Sequence, residues 1–318
     1  MAGSREIDEK DYVPPSTAHC AGIIPVCGQQ YKNTNMLWHP ALQPLHEDYL
    51  LLDNAITQCA FLGVDTIWIV FDDSMTPFIR KRIGDFIDDP VYKGINYHKN
   101  RLTTKRIPIH FVPQSTMEAN KRDSVAYTAL HAIQTSRKIC GQISTYVIPQ
   151  TYFITFPYSI VDPHEIRENR EDIRNAETPL LFTDPENNSV ATGHYYPLLI
   201  TYKQAKQIKQ HVYHVGTGVK DMSQPKSEWM FGSVPTKRLP ESEQYSARYF
   251  GPDEVYRPLY EKYTPNYHAM SWAYDAHTFE GYRKALGSDQ DFYPTDFRNL
   301  FASIAKNSMS FDDDEFDD

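Results

Sequence analysis

The sequence is poor in glycine and in cysteine. Only 14 of its 318 residues are Gly, whereas an average usage of about 7% would give roughly 22. Glycine-rich loops that bring the backbone close to phosphate groups therefore have few places in which to form. The four cysteines, at positions 20, 27, 59 and 140, are irregularly spaced and form no C-x-x-C pair. We therefore predict neither a disulfide framework nor a cysteine zinc site.

Long apolar runs and an excess of basic residues are also missing. No stretch of about 18 apolar residues occurs, and the first twelve residues, MAGSREIDEKDY, contain no apolar segment. We therefore expect neither a membrane span nor a secretory signal, and predict a cytoplasmic protein. Lys and Arg number 32 against 41 Asp and Glu, for a net charge of −9. This balance argues against nucleic acid as a partner.

What the sequence does have is a globular composition and an alternation of strand and helix patterns. Hydrophobic residues make up 41% of the chain and charged residues 23%, as in ordinary folded domains. Three β-branched, apolar segments, TIWIVF (66–71), IPIHFV (107–112) and TYFITF (151–156), are separated by segments with helical periodicity. The pattern predicts a helix that ends at Gly63, a helix from Thr76 through about Ile87 and a helix over about 117–139. Such alternation predicts an α/β fold with a mainly parallel, Rossmann-like sheet covered by helices on both faces.

Composition divides the chain into four predicted parts. Residues 1–18 form a polar N-terminal arm, and residues 19–215 form the α/β domain. Residues 216–308 are rich in Tyr and Pro and are predicted to be a loop-rich C-terminal extension. Residues 309–318 contain the acidic run FDDDEFDD, which predicts a disordered tail that can dock onto a protein partner.

Four segments resemble, in their order and spacing, the sugar-phosphate nucleotidyltransferase family. They are AGIIPVCG at 21–28, HPALQPL at 39–45, LLLDNAITQCAFLGVDTIWIV at 50–70 and SVAYTALHA at 124–132. The resemblance covers residues 19–215 and implies a sheet of the nucleotide-diphospho-sugar transferase type. It also implies that a nucleotide or sugar nucleotide is bound and that Mg²⁺ is the cofactor. The nucleotide-binding positions that it implies are Gly28, Gln29, Gln30, Ser124 and Val125.

The positions that the resemblance makes catalytic are substituted. Lys32 stands where the family has an Arg, and a lysine lacks the bidentate guanidinium fork. Pro40, with His39 beside it, stands where the family has a Lys, and Pro offers neither a charge nor an N–H. Ser159 stands where an Asp is expected to hold magnesium.

If activity persists, the substituted catalytic groups are Lys32 and His39, and the metal ligand is Asp162. The simultaneous loss of three catalytic groups favours lost or altered catalysis. The chain would then be a nucleotidyltransferase-like binding protein.

Two alternatives stay open. The first is a non-catalytic scaffold that uses the Tyr-rich region and the acidic tail for assembly. The second is a glycosyltransferase of related fold, which is disfavoured because no D-x-D motif lies at a strand end. The Tyr-rich, Gly-poor chain with its acidic tail also resembles proteins of large tailed phages.

Overall fold

The computed structural model describes eight stretches of the chain. They are residues 19–28, 39–47, 49–72, 75–90, 105–114, 124–220, 236–238 and 250–290. Within these stretches, no helix combines the length and the apolar character needed to cross a membrane.

An eight-stranded sheet forms the centre of the molecule. With strands numbered along the chain, its members are β1 (Cys20–Pro25), β4 (Thr66–Phe71), β5 (Phe86–Asp88), β6 (Arg106–Pro113), β7 (Thr151–Ile154), β9 (Leu180–Thr183), β10 (Leu198–Thr201) and β13 (Asn266–Ala269). Three two-stranded pairs accompany it: β2 (Pro44–His46) with β3 (Tyr49–Leu50), β8 (Ser159–Val161) with β14 (Ala273–Asp275), and β11 (Gly218–Lys220) with β12 (Thr236–Arg238).

Helices cover the sheet and connect its strands. They are α1 (Leu51–Leu62), α2 (Thr76–Ile83), α3 (Val125–Ile143), α4 (Pro163–Glu168), α5 (Arg170–Arg174), α6 (Tyr202–Thr217), α7 (Pro252–Val255), α8 (Arg257–Glu261) and α9 (Phe279–Leu286). Short 3-10 turns span Pro40–Leu42, Thr145–Val147 and Val190–Thr192.

The strand order places a topological switch point beside β1. The order is β13-β9-β10-β7-β1-β4-β6-β5, and β7, β1, β4 and β6 run parallel. The chain builds outward from β1 through β4 to β6, and α3 then carries it back to β7 on the other side of β1. Open α/β sheets bind ligands outside the carboxyl ends of their strands at such a point. The fold therefore predicts a ligand-binding site at the loops after β1 and β7.

Alternate residues of β1 pack on opposite faces of the sheet, as a parallel strand buried on both sides requires. Ile23 belongs to the core under α3, whereas Ile24 belongs to the core under α1. All twelve residues of α1 are buried, because the helix lies between the sheet and α4. Gly63, with φ 75°, ends this helix in the left-handed conformation, as the sequence predicts.

The structure confirms the α/β class and the mainly parallel sheet, and it corrects several element bounds. The helix predicted to run through Ile87 ends at Ile83, because Gly84 has φ 80° and the following residues pair with β6 as β5. The strand predicted to continue to Phe156 ends at Ile154. The helix predicted over 117–139 runs to Ile143, and its described part begins at Val125.

The described part of the C-terminal extension packs on the α/β domain. Strand β13 pairs in parallel with β9 and extends the large sheet, while β14 pairs with β8. Tyr256 and Leu259 are buried in the core that includes α3. The division into domains stays a prediction. The N-terminal arm and the acidic tail, with its proposed protein partner, lie outside the described residues.

Candidate functional site

The turn after β1 packs directly against the first residue of α3. Gly28 has φ 145°, and a Cβ atom placed on it would stand 2.4 Å from the backbone nitrogen of Val125. Only glycine fits, because both the backbone conformation and the space exclude a side chain. The amides of Val26 and Cys27 donate to the Val70 carbonyl oxygen and hold the turn against β4.

Ser124 defines the amino end of α3 at this contact. Its Oγ accepts a hydrogen bond from the Tyr127 amide at 3.1 Å, and its carbonyl oxygen accepts from the Thr128 amide. Both Ser124 and Val125 are buried. The 19-residue helix therefore directs the positive end of its dipole at the Gly28 turn. Gly28, Ser124 and Val125, which the sequence predicts for one site, lie together at the switch point.

His39 lies at the same edge of the sheet but is a neutral side chain. It caps the turn Pro40–Leu42, with Nδ1 accepting from the Ala41 amide at 3.2 Å. Burial lowers the pKa of His39 to about 4, against the smaller opposing effects of its hydrogen bond with the Val26 backbone and of the Asp72 charge. His39 is therefore uncharged at neutral pH. Its predicted catalytic role stays a prediction.

Ser159 occupies a buried position beside α1. Its carbonyl oxygen accepts from Asn54 Nδ2 at 3.0 Å and from Gln58 Nε2 at 2.7 Å. Its hydroxyl group is buried, and no hydrogen-bond partner for it occurs among the residues that the structure describes. Thr155 Oγ1 donates to Gln58 Oε1 at 2.5 Å. This polar network fixes the β7–β8 turn against α1.

Asp162 has a structural role at the start of α4. Its Oδ1 accepts from the His164 amide at 2.8 Å, which makes Asp162 the N-cap of this helix. The His164 ring meets the edge of Phe61, with 5.1 Å between ring centroids. Phe61 belongs to the last turn of α1, which leads into the amino end of β4. Asp162 thus follows a strand that turns back along α1, away from the Gly28 turn.

The donors at these positions do not fit a magnesium ion, which prefers carboxylate and water oxygens. Ser159 supplies only a neutral hydroxyl, and Asp162 is engaged as a cap. Across the described ranges, no cluster of three or more His, Cys, Asp or Glu side chains could hold a metal ion. The assignments of Mg²⁺ and of Asp162 as its ligand stay predictions. Lys32, Gln29 and Gln30 lie outside the described residues, and their predicted roles also stay predictions.

A pair that sequence reasoning missed lies on β14 and the turn that follows it. His277 Nδ1 is 2.8 Å from Asp275 Oδ1, and the side chain of Asp275 is 5% exposed. The two oxygens of Asp275 also accept from the amides of Tyr195, at 2.8 Å, and of His277, at 3.0 Å. Asp275 stands opposite Ser159 in the β14–β8 pair. The sequence signal that could have identified this pair is an Asp and a His two residues apart, directly after the strand-like segment WAY.

Asp275 controls the charge of His277. Burial favours the neutral imidazole, but the contact with the Asp275 carboxylate and its negative charge outweigh burial and raise the pKa of His277. The Tyr195 ring packs on the other side, with 5.2 Å between the ring centroids. With Nδ1 beside the buried carboxylate, Nε2 is the ring nitrogen left for a further contact.

Comparison with known proteins agrees with the α/β fold. No family model and no curated protein matches the chain. Among solved structures, one match is a Bacillus anthracis protein provisionally named a glucose-1-phosphate thymidylyltransferase, in complex with a sucrose. It superposes with a TM-score of 0.52 at 12% identity, over 88% of this chain and 99% of its own. The chain has a nucleotide-diphospho-sugar transferase fold.

Two further matches have lower scores. A UDP-glucose pyrophosphorylase complexed with UDP-glucose gives a TM-score of 0.48 at 9% identity, over 85% of this chain and 97% of its own. The protein Rv0371c of Mycobacterium tuberculosis, in complex with manganese, gives a TM-score of 0.44 at 10% identity. The match covers 86% of this chain and 100% of that protein's chain. The fold assignment rests on the first match, and at 12% identity that likeness shows the fold alone.

Proposed function

We propose that this protein binds a nucleotide or sugar nucleotide at the carboxyl ends of β1, β4 and β7, and that its nucleotidyl transfer is lost or altered. The observation that carries the proposal is the contact of the Gly28 turn with Val125. It joins a strand end at the switch point to the amino end of a long helix. Phosphate groups bind at such junctions because backbone N–H groups and the helix dipole both favour negative charge.

The first turn of α3 supplies the backbone donors that we propose for a phosphate group. The first four N–H groups of a helix have no partner within the helix itself. Here the Tyr127 amide is taken by Ser124 Oγ. The amides of Val125 and Ala126 come earlier in the helix, and the nitrogen of Val125 faces Gly28. The neighbour complexed with UDP-glucose supports a sugar nucleotide as one form of the ligand.

The proposal of lost or altered transfer rests on charge. Attack on the α-phosphate of a nucleoside triphosphate by a sugar phosphate brings several negative charges together, and cations and aligned donors must screen them. Pro40 has no charge and no N–H, His39 is neutral because burial lowers its pKa to about 4, and Ser159 is a buried hydroxyl. Binding can survive these substitutions more readily than catalysis, because the backbone donors remain. Lys32 is the remaining cation that we propose as a phosphate contact.

Thermal unfolding in the presence of nucleotides tests the binding. The screen uses the four nucleoside triphosphates and UDP-glucose, each with Mg²⁺ and with EDTA, on wild type, Lys32→Ala and the control Lys203→Ala. Lys203 is exposed on α6, in its first turn. A ligand at 100 times its Kd stabilises the fold by about 2.7 kcal/mol. We expect stabilisation of wild type and Lys203→Ala, reduced in Lys32→Ala. If no ligand shifts the wild type, the chain is not a nucleotide-binding protein.

Pyrophosphate release tests the transfer reaction separately. Each nucleoside triphosphate is mixed with glucose 1-phosphate and Mg²⁺, and attack of the sugar phosphate oxygen on the α-phosphorus would release pyrophosphate. We expect release from the wild type no faster than from Lys32→Ala. Steady release that requires Mg²⁺ and Lys32 would show that conventional catalysis is retained.

A further inference from the structure

The pair formed by Asp275 and His277 lies on the same side of the molecule as the candidate nucleotide site. Asp275 faces Ser159, which follows the carboxyl end of β7. Helix α9, which begins just after His277, is joined to the segment before α1 by the hydrogen bond from Tyr282 OH to the Pro44 carbonyl oxygen. Because α1 starts at the carboxyl edge of the sheet, both contacts place His277 at that edge.

A continuous row of aromatic rings links His277 to the amino end of α3. Tyr195 packs on His277 and on Phe156, with 5.2 Å between centroids in each case, and Phe156 lies 6.4 Å from Tyr256. The Tyr256 hydroxyl donates to the carbonyl oxygen of Ala126, the second residue of α3. His277 is therefore connected through buried rings to the first turn of α3, the helix whose amino end packs on the Gly28 turn.

We propose that His277, held in place by Asp275, contacts a phosphate group of the bound ligand through Nε2 and supplies there the positive charge that the family resemblance assigns to a metal ion. This inference rests on the proposed function. The inference identifies the group at one end of the ligand as a phosphate or diphosphate, one oxygen of which contacts His277. It also predicts that binding needs no divalent cation.

The exposure of His277 and the burial of Asp275 are consistent with a phosphate contact. The His277 side chain is 34% exposed, whereas that of Asp275 is 5% exposed, so the carboxylate is fixed and the outer part of the ring is reachable. Among the described residues, the groups that contact the His277 ring are the Asp275 carboxylate and the Tyr195 ring, and the charges of Asp275, Tyr256 and Asp253 act on the Tyr195 hydroxyl.

The Tyr195 ring, which packs on His277, carries a polar group without a hydrogen-bond partner among the described residues. The Tyr195 hydroxyl is buried, and the described part of the chain offers it no hydrogen bond. Buried hydroxyl groups are rarely left without a partner, and a ligand oxygen satisfies such a group. Because the pKa of His277 is raised, its charged form persists above the ordinary range of a histidine.

Nuclear magnetic resonance with pyrophosphate as the probe tests the contact. The Cε1–H signal of His277 is assigned by its loss in His277→Ala, and pyrophosphate is titrated into the wild type in EDTA. We expect this signal to move on binding, and the affinity to fall about tenfold in His277→Gln, as loss of one charge-assisted hydrogen bond predicts. The control His164→Ala changes an exposed histidine beside Phe61, and we expect it to bind as the wild type does.

The pH dependence gives an independent readout. An imidazolium binds an anion and a neutral imidazole does not, so wild-type affinity should fall as the pH rises through the pKa of His277. Pyrophosphate itself titrates, and the difference between wild type and His277→Gln isolates the contribution of the histidine. The difference should be present at pH 6 and absent at pH 9.

Each outcome separates the two proposals. If pyrophosphate or nucleotide binds and neither the His277 signal nor the affinity of His277→Gln differs, the inference about His277 is wrong and the proposed function stands. If pyrophosphate moves the His277 signal while no nucleotide binds, the phosphate contact of His277 stands, but the ligand is not a nucleotide and the proposed function is wrong. Absence of binding by every probe overturns both.

Discussion

The α-carbon of Gly28 lies so close to α3 that a methyl group on it would stand 2.4 Å from the backbone nitrogen of Val125 and 2.8 Å from the Val125 α-carbon. The contact joins the end of β1 to the start of α3, although about a hundred residues of chain separate them. It creates the turn-and-helix junction on which the proposed nucleotide binding depends. A side chain here would separate the two elements and remove the junction.

Gly28→Ala should destabilise the fold by about 2–4 kcal/mol, because strain at φ 145° adds to a clash with backbone atoms that cannot rotate away. Urea denaturation of the variant and of Gly287→Ala measures the effect. Gly287 has φ −86°, and its added methyl would meet the Arg283 carbonyl oxygen at 3.4 Å. The control should stay within about 1 kcal/mol of wild type. Equal stability of the two variants would refute the close contact.

Asp162→Ala should cost about 1 kcal/mol of stability, whereas Asp162→Asn should change it by only a few tenths, because Asn retains the oxygen that accepts from the His164 amide. Thermal unfolding with and without Mg²⁺ compares the capping role with the predicted metal role. Capping predicts that Mg²⁺ affects wild type and Asp162→Asn alike. Stabilisation by Mg²⁺ that is lost in Asp162→Asn would instead establish Asp162 as a metal ligand.

His39 should make the fold sensitive to acid. Its pKa is lowered from 6.5 to about 4 by burial, so the unfolded chain binds the proton more readily than the folded one. Stability attributable to His39 is therefore complete above pH 6.5 and is lost as the pH falls towards 4, by at most about 3 kcal/mol.

The test compares urea denaturation of wild type and His39→Asn at pH 7.5 and pH 4.5. Asn preserves an acceptor for the Ala41 amide and does not titrate in this range. The difference in stability between the two pH values should shrink in His39→Asn, whereas His46→Asn, at an exposed position, should behave as wild type does. An unchanged difference in His39→Asn would show that His39 is not held neutral.

The buried network under the β7–β8 turn should behave as a unit. Thr155→Val removes the donor to Gln58 Oε1 and should cost about 1–3 kcal/mol, since it leaves a buried acceptor unpaired. Gln58→Leu together with Thr155→Val should cost less than the sum of the single changes, because no orphaned acceptor remains on Gln58. Additive costs would show that the two side chains do not interact.

The sequence predicts the strands of the parallel part of the sheet well, because local hydrophobic patterns indicate which segments form strands and which form helices. TIWIVF is β4 over the full predicted range, and Gly63 ends α1 as expected. The periodicity of these segments follows directly from burial on one helix face or on both faces of a strand. Gly28, Ser124 and Val125 could be assigned to one site only because the family resemblance implies it, and the structure brings the three residues together.

The remaining features depend on contacts between residues far apart in the chain. Nothing local distinguishes NYHA as the strand that pairs with β9 and extends the sheet. The pairing of Asp275 with His277 becomes significant only once β14 lies against β8. The burial that keeps His39 neutral likewise arises from tertiary packing. The charge state of His39 therefore could not be predicted from the residue type or from its position in the sequence.

Hydrogen–deuterium exchange with and without nucleotide tests the central claim most directly. The four nucleoside triphosphates and UDP-glucose are added in turn, and exchange is followed in peptides covering residues 20–28, 124–130 and, as reference at the amino edge of the sheet, 145–150. Binding at the Gly28–Val125 junction predicts slower exchange in the first two peptides for at least one ligand and unchanged exchange in the third. Unchanged exchange at both 20–28 and 124–130 with every ligand, or protection confined to 145–150, would contradict the proposed site.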